Sequence, residues 1–97
     1  MTRDNFLTGK FTVMVAIRSA DELGRAIRAA RKALGLTQPR LALAAGVGVR
    51  FVVELEAGKP TVRLENVLRV IDALGGVIDL KGLPSFTVDG QDEANDE

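Results

Sequence analysis

Apolar residues recur at helical spacing through the middle of this 97-residue chain. Between Ser19 and Leu74 they return every three or four positions, the spacing that places them on one face of an α-helix. Glycine interrupts the pattern at Gly35, Gly46 and Gly58. The pattern therefore predicts four helices, over residues 19–34, 37–45, 48–57 and 61–74. The apolar face expected for the fourth helix contains Val62, Leu64, Val67, Leu68, Ile71 and Leu74.

Polar residues mark the expected starts of these helices. Ser19 is followed by Glu22 three residues later, which is the pattern of a capping box. Thr37 is a favourable N-cap, and Pro39 then falls in the first turn, where proline is tolerated because those N–H groups have no partner within the helix. We expect Thr61 to cap the fourth helix.

Two shorter stretches alternate with a period of two, which is typical of strands. In residues 10–17, which are rich in β-branched side chains, Phe11, Val13, Val15 and Ile17 alternate with Thr12, Met14 and Ala16. Residues 77–83 alternate over their first positions and are followed by Pro84. The sequence therefore predicts a short C-terminal strand and offers a candidate strand near the N-terminus.

The second and third helices are expected to meet at a sharp corner. Two helices joined by a short glycine-containing turn form a helix-turn-helix. Ala42 is small enough for a close helix crossing, and Gly46 suits an unusual backbone conformation. A generic helical hairpin is the alternative, but it does not require the whole set of apolar residues that would seal this corner. That set is Leu41, Ala45, Val47, Val52 and Leu55.

The composition lacks the residues on which most catalytic and metal-binding sites depend. The chain has no cysteine and no histidine, so it lacks disulfides, thiolate ligands and the commonest general base. No nucleophile stands beside a base, and no phosphate-binding loop is present. We therefore predict that the chain is not an enzyme and that it has no catalytic residue, metal ligand or cofactor.

The sequence pattern predicts neither a membrane span nor a signal peptide. Its apolar runs are far shorter than the roughly 20 residues that cross a bilayer. The first 13 residues lack the apolar core of a signal peptide. We expect a cytoplasmic protein without a membrane partner.

The charges are distributed unevenly although the net charge is zero. Residues 89–97 contain five acids and no base, so residues 1–88 carry a net charge of +5. A basic body with an acidic tail indicates an anionic partner for the body. A solvated surface with a disordered end explains the same charges equally well.

The stretch "LGRAIRAARKALGLTQPRLALAAGVGVRFVVELEAGKP" resembles the Cro/repressor, or XRE, type of DNA-binding domain. The resemblance runs from about Leu23 to Leu74. When the following "GGVIDL" is included, the sequence is similar to HipB-like antitoxins of the Y4mF type. It implies a mainly α-helical, lambda-repressor-like domain of four to five helices with a short C-terminal strand. We expect an N-terminal segment (1–18), this domain (19–83) and a disordered acidic tail (84–97).

The same resemblance implies a function. HipB-like proteins bind operator DNA as repressors of their own operon and neutralise a HipA-like serine/threonine kinase toxin. Two copies reading two half-sites supply the affinity that one small module lacks, so we expect a homodimer. A stand-alone regulator of the XRE type without a toxin partner is the alternative, and a module that binds only protein is another.

The resemblance also assigns residues to roles. Val49, Arg50 and Glu54 match positions that face base edges, and Arg31 and Glu56 match an internal ion pair. The residues expected at the DNA backbone are Gln38, Thr37, Arg40, Arg28 and Lys59. The strand expected to pair with its twin in the dimer contains Val77, Ile78, Asp79 and Leu80.

Three questions stay open at this point. Phe51 either contacts DNA or packs inward, in a "GVRFVV" segment that is more apolar than family members usually have. Glu54 either accepts a hydrogen bond from cytosine or orients Arg50, and we favour the second role. The strand at 10–17 pairs either within one chain or between two chains.

Overall fold

The structure is a computed structural model that describes residues 14–85 and contains four α-helices. The helices are α1 (Ala20–Ala33), α2 (Gln38–Ala45), α3 (Val49–Glu56) and α4 (Leu64–Ala73). They confirm the mainly α-helical, helix-turn-helix fold expected from the sequence. The first four residues of the candidate strand at 10–17, and the acidic tail after residue 85, lie outside the described residues.

The caps expected for the first two helices are confirmed. The hydroxyl of Ser19 accepts a hydrogen bond from the N–H of Glu22 at 3.1 Å, and the Glu22 carboxylate accepts one from the backbone N–H of Arg18. The hydroxyl of Thr37 accepts from the N–H of Arg40 at 3.2 Å. These bonds satisfy N–H groups that have no acceptor within their own helix.

The fourth helix begins later than expected. Its N-cap is Arg63, and no side chain caps it, so the expectation that Thr61 caps α4 is wrong. The physical reason is that Val62 packs against the core before the helix starts, which keeps the chain extended through Arg63.

The buried face of α4 is rotated from the expected one. Val67 and Val70 are buried, and Ile71 and Leu74 pack beside them. These four residues follow i, i+3, i+4 and i+7 spacing, so they form one face. The expected face included two leucines, Leu64 and Leu68, that are in fact exposed.

The core lies between α2 and the helices around it. α2 packs against both α3 and α4, and α1 packs against α3. Among residues 14–85, the largest side chains that are fully buried are Leu41, Val52, Leu55 and Val70. Burying each of them contributes about 1.5–3 kcal/mol, so the corner of the helix-turn-helix is also the centre of the domain.

α1 and α3 approach closely at Gly24. A Cβ atom at this position would lie 2.5 Å from the carbonyl oxygen of Leu55 and 2.8 Å from that of Glu56. Backbone atoms cannot move aside as a flexible side chain can. Glycine is therefore required where the first half of α1 crosses the C-terminal end of α3.

Residues 14–85 contain no strand. Strands are defined by hydrogen bonds to a neighbouring strand, and neither residues 14–17 nor residues 77–83 make such a ladder within this part of a single chain. The short C-terminal strand is therefore not formed among residues 14–85 of one copy. Pairing between two copies stays a prediction.

Candidate nucleic-acid interface

The corner between α2 and α3 depends on Gly46. Its φ of 73° and ψ of 33° lie in the left-handed region, which glycine adopts without the steric cost of a side chain. The N–H of Val47 then donates to the carbonyl oxygen of Ala42 at 3.0 Å and closes the end of α2. Because only residues 46–48 separate the two helices, this turn fixes the direction in which α3 leaves the corner.

One side of α3 faces solvent. Val52 and Leu55 are buried, whereas Val49, Arg50 and Val53 are exposed. Phe51 is half-buried and packs against the core, which is the inward of the two alternatives for this side chain. The exposed face is therefore continuous, and it begins at the N-terminal end of the helix.

Arg50 and Glu54 of α3, together with Lys59 just beyond the end of this helix, form what we call the α3 charge cluster. Nε of Arg50 lies 3.3 Å from Oε2 of Glu54, and Nζ of Lys59 lies 3.3 Å from Oε1 of the same carboxylate. Hydrogen bonds from Lys59 and then from Arg50 hold the pKa of Glu54 below its ordinary value. The carboxylate is therefore ionised at neutral pH.

Arg50 is available to a partner. Its side chain is 90% exposed, although Nε is bonded to Glu54. This contact uses Nε, so it leaves the two terminal NH₂ groups of the guanidinium for another acceptor. The arrangement is the one expected if Glu54 orients Arg50.

A second group of polar residues, the buried polar cluster, joins α1, α2 and α3. Arg31 donates from Nε to Oε2 of Glu56 at 2.6 Å and from Nη2 to Oε1 at 2.9 Å. Gln38 donates from Nε2 to the same Oε1 at 3.0 Å, and Arg31 also donates to the carbonyl oxygen of Leu36 at 2.9 Å. The cluster therefore fixes the start of α2 relative to the other two helices.

The buried polar cluster shifts the pKa of both charged members. Burial raises the pKa of Glu56, but hydrogen bonds from Arg31 and Gln38 and the charges of Arg31 and Arg28 outweigh it, so the pKa lies below its ordinary value. The hydrogen bond with Glu56 raises the pKa of Arg31 and outweighs the opposing effect of burial. Both side chains are charged at neutral pH.

The residues expected at the DNA backbone fall into three places. Arg28 is exposed on α1, near enough to Glu56 for its charge to act on that carboxylate. Thr37, Gln38 and Arg40 all lie at the N-terminal end of α2. Lys59 belongs instead to the α3 charge cluster. The structure therefore places Arg28 and Gln38 around one carboxylate and Lys59 beside Arg50.

Sequence reasoning missed two residues of this region. Val53 is not among the residues predicted to contact DNA, yet it is 42% exposed, the same fraction as Val49. Gly24 was not singled out, although a glycine inside a helical pattern costs about 1 kcal/mol and often signals a close contact. The i, i+4 spacing from Val49 was the available signal for Val53.

The residues expected in the dimer strand are exposed in the single chain. Val77, Ile78 and Leu80 all present apolar side chains to solvent. Oδ2 of Asp79 lies 3.0 Å from Nζ of Lys81, so this neighbouring pair is also at the surface. In one copy, this segment therefore exposes three apolar side chains to solvent.

Neither a metal-binding cluster nor a membrane-spanning helix is found in the part of the chain that the structure describes. Residues 14–85 hold no group of three or more histidine, cysteine, aspartate or glutamate side chains that could bind a metal. None of the four helices is both long and apolar enough to cross a membrane.

The chain is similar to helix-turn-helix proteins of known sequence. The family described as Helix-turn-helix matches residues 27–77, which is just over half of the chain. The HTH-type transcriptional regulator y4mF of Sinorhizobium fredii, itself uncharacterised, is 47% identical over 64 residues. The match covers 66% of this chain and 84% of that protein.

The chain is also similar to solved structures of HipB. HipB in a HipA–HipB–O2–O3 complex matches 73% of this chain and 100% of its own chain, with a TM-score of 0.67 and 21% identity. HipB in a HipB–O4 20mer complex gives the same TM-score, coverage and identity. At this level of identity, the likeness shows a common fold.

Proposed function

We propose that this chain, which belongs to the XRE-type helix-turn-helix family of DNA-binding transcriptional regulators, is a homodimeric repressor that binds the operator of its own operon. We propose further that it acts as a HipB-like antitoxin, which neutralises a HipA-like kinase toxin. The alternative is a regulator of the same family without a toxin partner.

The single observation that carries the repressor function is the position of Arg50. It lies in the first turn of α3, with a side chain that is 90% exposed and held by Glu54. In helix-turn-helix proteins, residues at the N-terminal end of the second helix reach base edges in the major groove. A guanidinium there donates two hydrogen bonds to O6 and N7 of guanine.

The residues around Arg50 are proposed to hold the DNA backbone. Gln38 keeps one amide hydrogen free of Glu56, and we propose that it donates this hydrogen to a phosphate. Arg28, Arg40 and Lys59 supply positive charge that is not specific for sequence. Such contacts fix the orientation of α3 and make binding depend on salt.

The homodimer is proposed to form through residues 77–80. Their apolar side chains lie in solvent in one copy. A partner strand would cover these side chains and pair the exposed backbone groups of the segment. A second copy offers the same segment, so two copies can pair by symmetry. Two half-sites then combine to reach the affinity of about 10⁻⁸ M or tighter that specific DNA binding requires.

The antitoxin role is supported by the likeness to HipB, which has been solved in a complex with HipA. The test is to purify this chain with the product of the neighbouring gene and to measure whether they form a complex that suppresses kinase activity. Binding and suppression are the expected results. An operator-binding chain that leaves a neighbouring kinase unaffected would leave the stand-alone regulator as the function.

The repressor role has its own test. Duplex DNA from the region upstream of the gene is mixed with the full chain, and complexes are separated by gel electrophoresis at several salt concentrations. We expect one fragment to bind in preference to unrelated DNA of the same length. Equal binding to all fragments would contradict a sequence-specific repressor.

A further inference from the structure

The exposed face of α3 carries two different rows of side chains. Arg50 and Glu54, four residues apart, form a charged row that their hydrogen bond joins. Val49 and Val53, also four residues apart, form an apolar row in which each residue is 42% exposed. Successive residues are about 100° apart around a helix, so both rows fit within an arc of about 140°. A surface that meets the charged row therefore also meets the valines.

Valine side chains need an apolar group opposite them. A base carbonyl, an amino group or a phosphate pressed against a valine would lose water without gaining a hydrogen bond. In the major groove, the apolar group that a base edge presents is the C5-methyl of thymine. The chemistry of the valine row therefore matches thymine.

We infer that Val49 and Val53 contact the 5-methyl groups of thymines that lie beside the guanine bound by Arg50. The inference rests on the proposed function, because it assigns base preferences to the same helix. Apolar contact with thymine would give that helix a second base preference, in addition to the preference for guanine that the hydrogen bonds of Arg50 provide. The resulting half-site contains a guanine and two positions at which a thymine methyl strengthens binding.

The helix geometry limits where these methyl groups lie. Val49 and Val53 are separated by about 6 Å along the axis of α3, since each residue rises about 1.5 Å. Neighbouring base pairs are about 3.4 Å apart. The two methyl groups therefore lie no more than about two base pairs apart.

Charge favours DNA over a protein surface as the partner of the valine row. Arg50 lies beside Val49 and its side chain is 90% exposed, and residues 1–88 have a net charge of +5. A polyanion satisfies both the exposed guanidinium and this overall charge. A protein partner of neutral composition would satisfy only the valines.

The experiment uses the full chain and a duplex selected by it from a random pool. Each thymine of the selected half-site is then replaced by deoxyuridine, which removes only the 5-methyl group. Burial of one methyl group corresponds to about a fourfold change in affinity. We expect losses of this size at two positions, and at no other thymine of the half-site.

Substitutions in the protein assign each methyl group to a valine. Val49→Ala should remove the sensitivity to deoxyuridine at one of the two positions, and Val53→Ala should remove it at the other. Leu43→Ala is the matched control, because Leu43 is 83% exposed but lies on α2. This control should keep the sensitivity at both positions. Sedimentation and thermal unfolding of each variant show whether the dimer and the fold are retained.

The outcomes separate this inference from the proposed function. If no duplex is selected, both are overturned. If a duplex is selected and deoxyuridine changes nothing, the inference is lost while the repressor function stands. If the valine variants fold and dimerise but keep the sensitivity of the original chain, the valines do not contact thymine. Because the deoxyuridine test uses the unaltered chain, it decides the question even if a variant fails to fold.

Discussion

Arg31 and Glu56 form two hydrogen bonds, of 2.6 and 2.9 Å, across the junction between α1 and α3. Their side chains are only 10% and 3% exposed. A buried ion pair contributes little compared with a well-packed apolar pair, but removing one partner leaves a charge buried without compensation. The pair therefore makes the stability of the fold sensitive to substitution at a site that also contacts Gln38, the first residue of α2.

Glu56→Ala should lower the free energy of unfolding by about 3–5 kcal/mol, because it leaves Arg31 without its carboxylate. Chemical denaturation followed by circular dichroism measures this change. The matched control is Glu65→Ala, which breaks an exposed pair with Arg69 and should cost less than about 1 kcal/mol. DNA affinity of the Glu56 variant should fall only as far as the folded fraction falls. An unchanged free energy of unfolding would show that the fold does not depend on the pair of Arg31 and Glu56.

The same carboxylate predicts a dependence of stability on pH. The pKa of Glu56 is lower in the folded chain than its ordinary value, so the folded state favours the ionised form. Its contribution is fully present above the pKa of the unfolded chain, about 4.3, and is lost as the pH falls through the lower folded pKa. The difference in unfolding free energy between the original chain and Glu56→Gln should therefore be constant above about pH 5.5 and shrink in more acidic solution. A difference that grows on acidification would contradict the assigned direction.

Gly24→Ala should destabilise the domain, although alanine is the better helix former. The added methyl group would meet the carbonyl oxygen of Leu55 at 2.5 Å, and such crowding costs about 1–3 kcal/mol or more. Gly48→Ser is a useful control, because nothing lies within 4 Å of that position and serine is a favourable N-cap. Thermal unfolding should show a lower midpoint for the first variant and an equal or higher one for the second. A midpoint for Gly24→Ala at or above that of the original chain would contradict the close crossing of α1 and α3.

Truncation after Gly75 should weaken or abolish the dimer. It removes the apolar side chains of residues 77–80, which are exposed in one copy. A truncation after Ser85 keeps this segment and serves as the control. Analytical ultracentrifugation should give a monomer, or a much weaker dimer, for the shorter chain and a dimer for the longer one. A stable dimer of the shorter chain would place the interface elsewhere.

Local signals were sufficient to predict the starts of α1 and α2 and the corner after α2. Ser19, Thr37 and Gly46 act on backbone groups within a few residues of themselves, so their effect can be deduced from sequence. The start of α4 could not be deduced in this way. Val62 is drawn into a core made by other helices, and that contact overrides the capping preference of Thr61.

Two features near the site depend on long-range packing, and they could not be predicted from the sequence. The requirement for Gly24 depends on two carbonyl oxygens more than 30 positions away. The bond between Gln38 and Glu56 likewise depends on how α2 and α3 cross. By contrast, the contact between Arg50 and Glu54 is an i, i+4 pair on one helix, which is why sequence reasoning could anticipate it.

The central claim is that α3 reads DNA sequence through Arg50, and Arg50→Ala tests it most directly. The side chain is 90% exposed, so the variant should fold as the original chain does. The control is Arg69→Ala, which removes an exposed guanidinium from α4. The measurement is the affinity of each protein for the selected operator and for operators changed at single base pairs, at fixed salt concentration.

We predict that Arg50→Ala loses about 1–3 kcal/mol of discrimination at one base pair in each half-site, while Arg69→Ala keeps the original preferences. If Arg50→Ala binds the operator as tightly and as selectively as the original chain, α3 does not read the sequence through this residue, and the central claim is wrong.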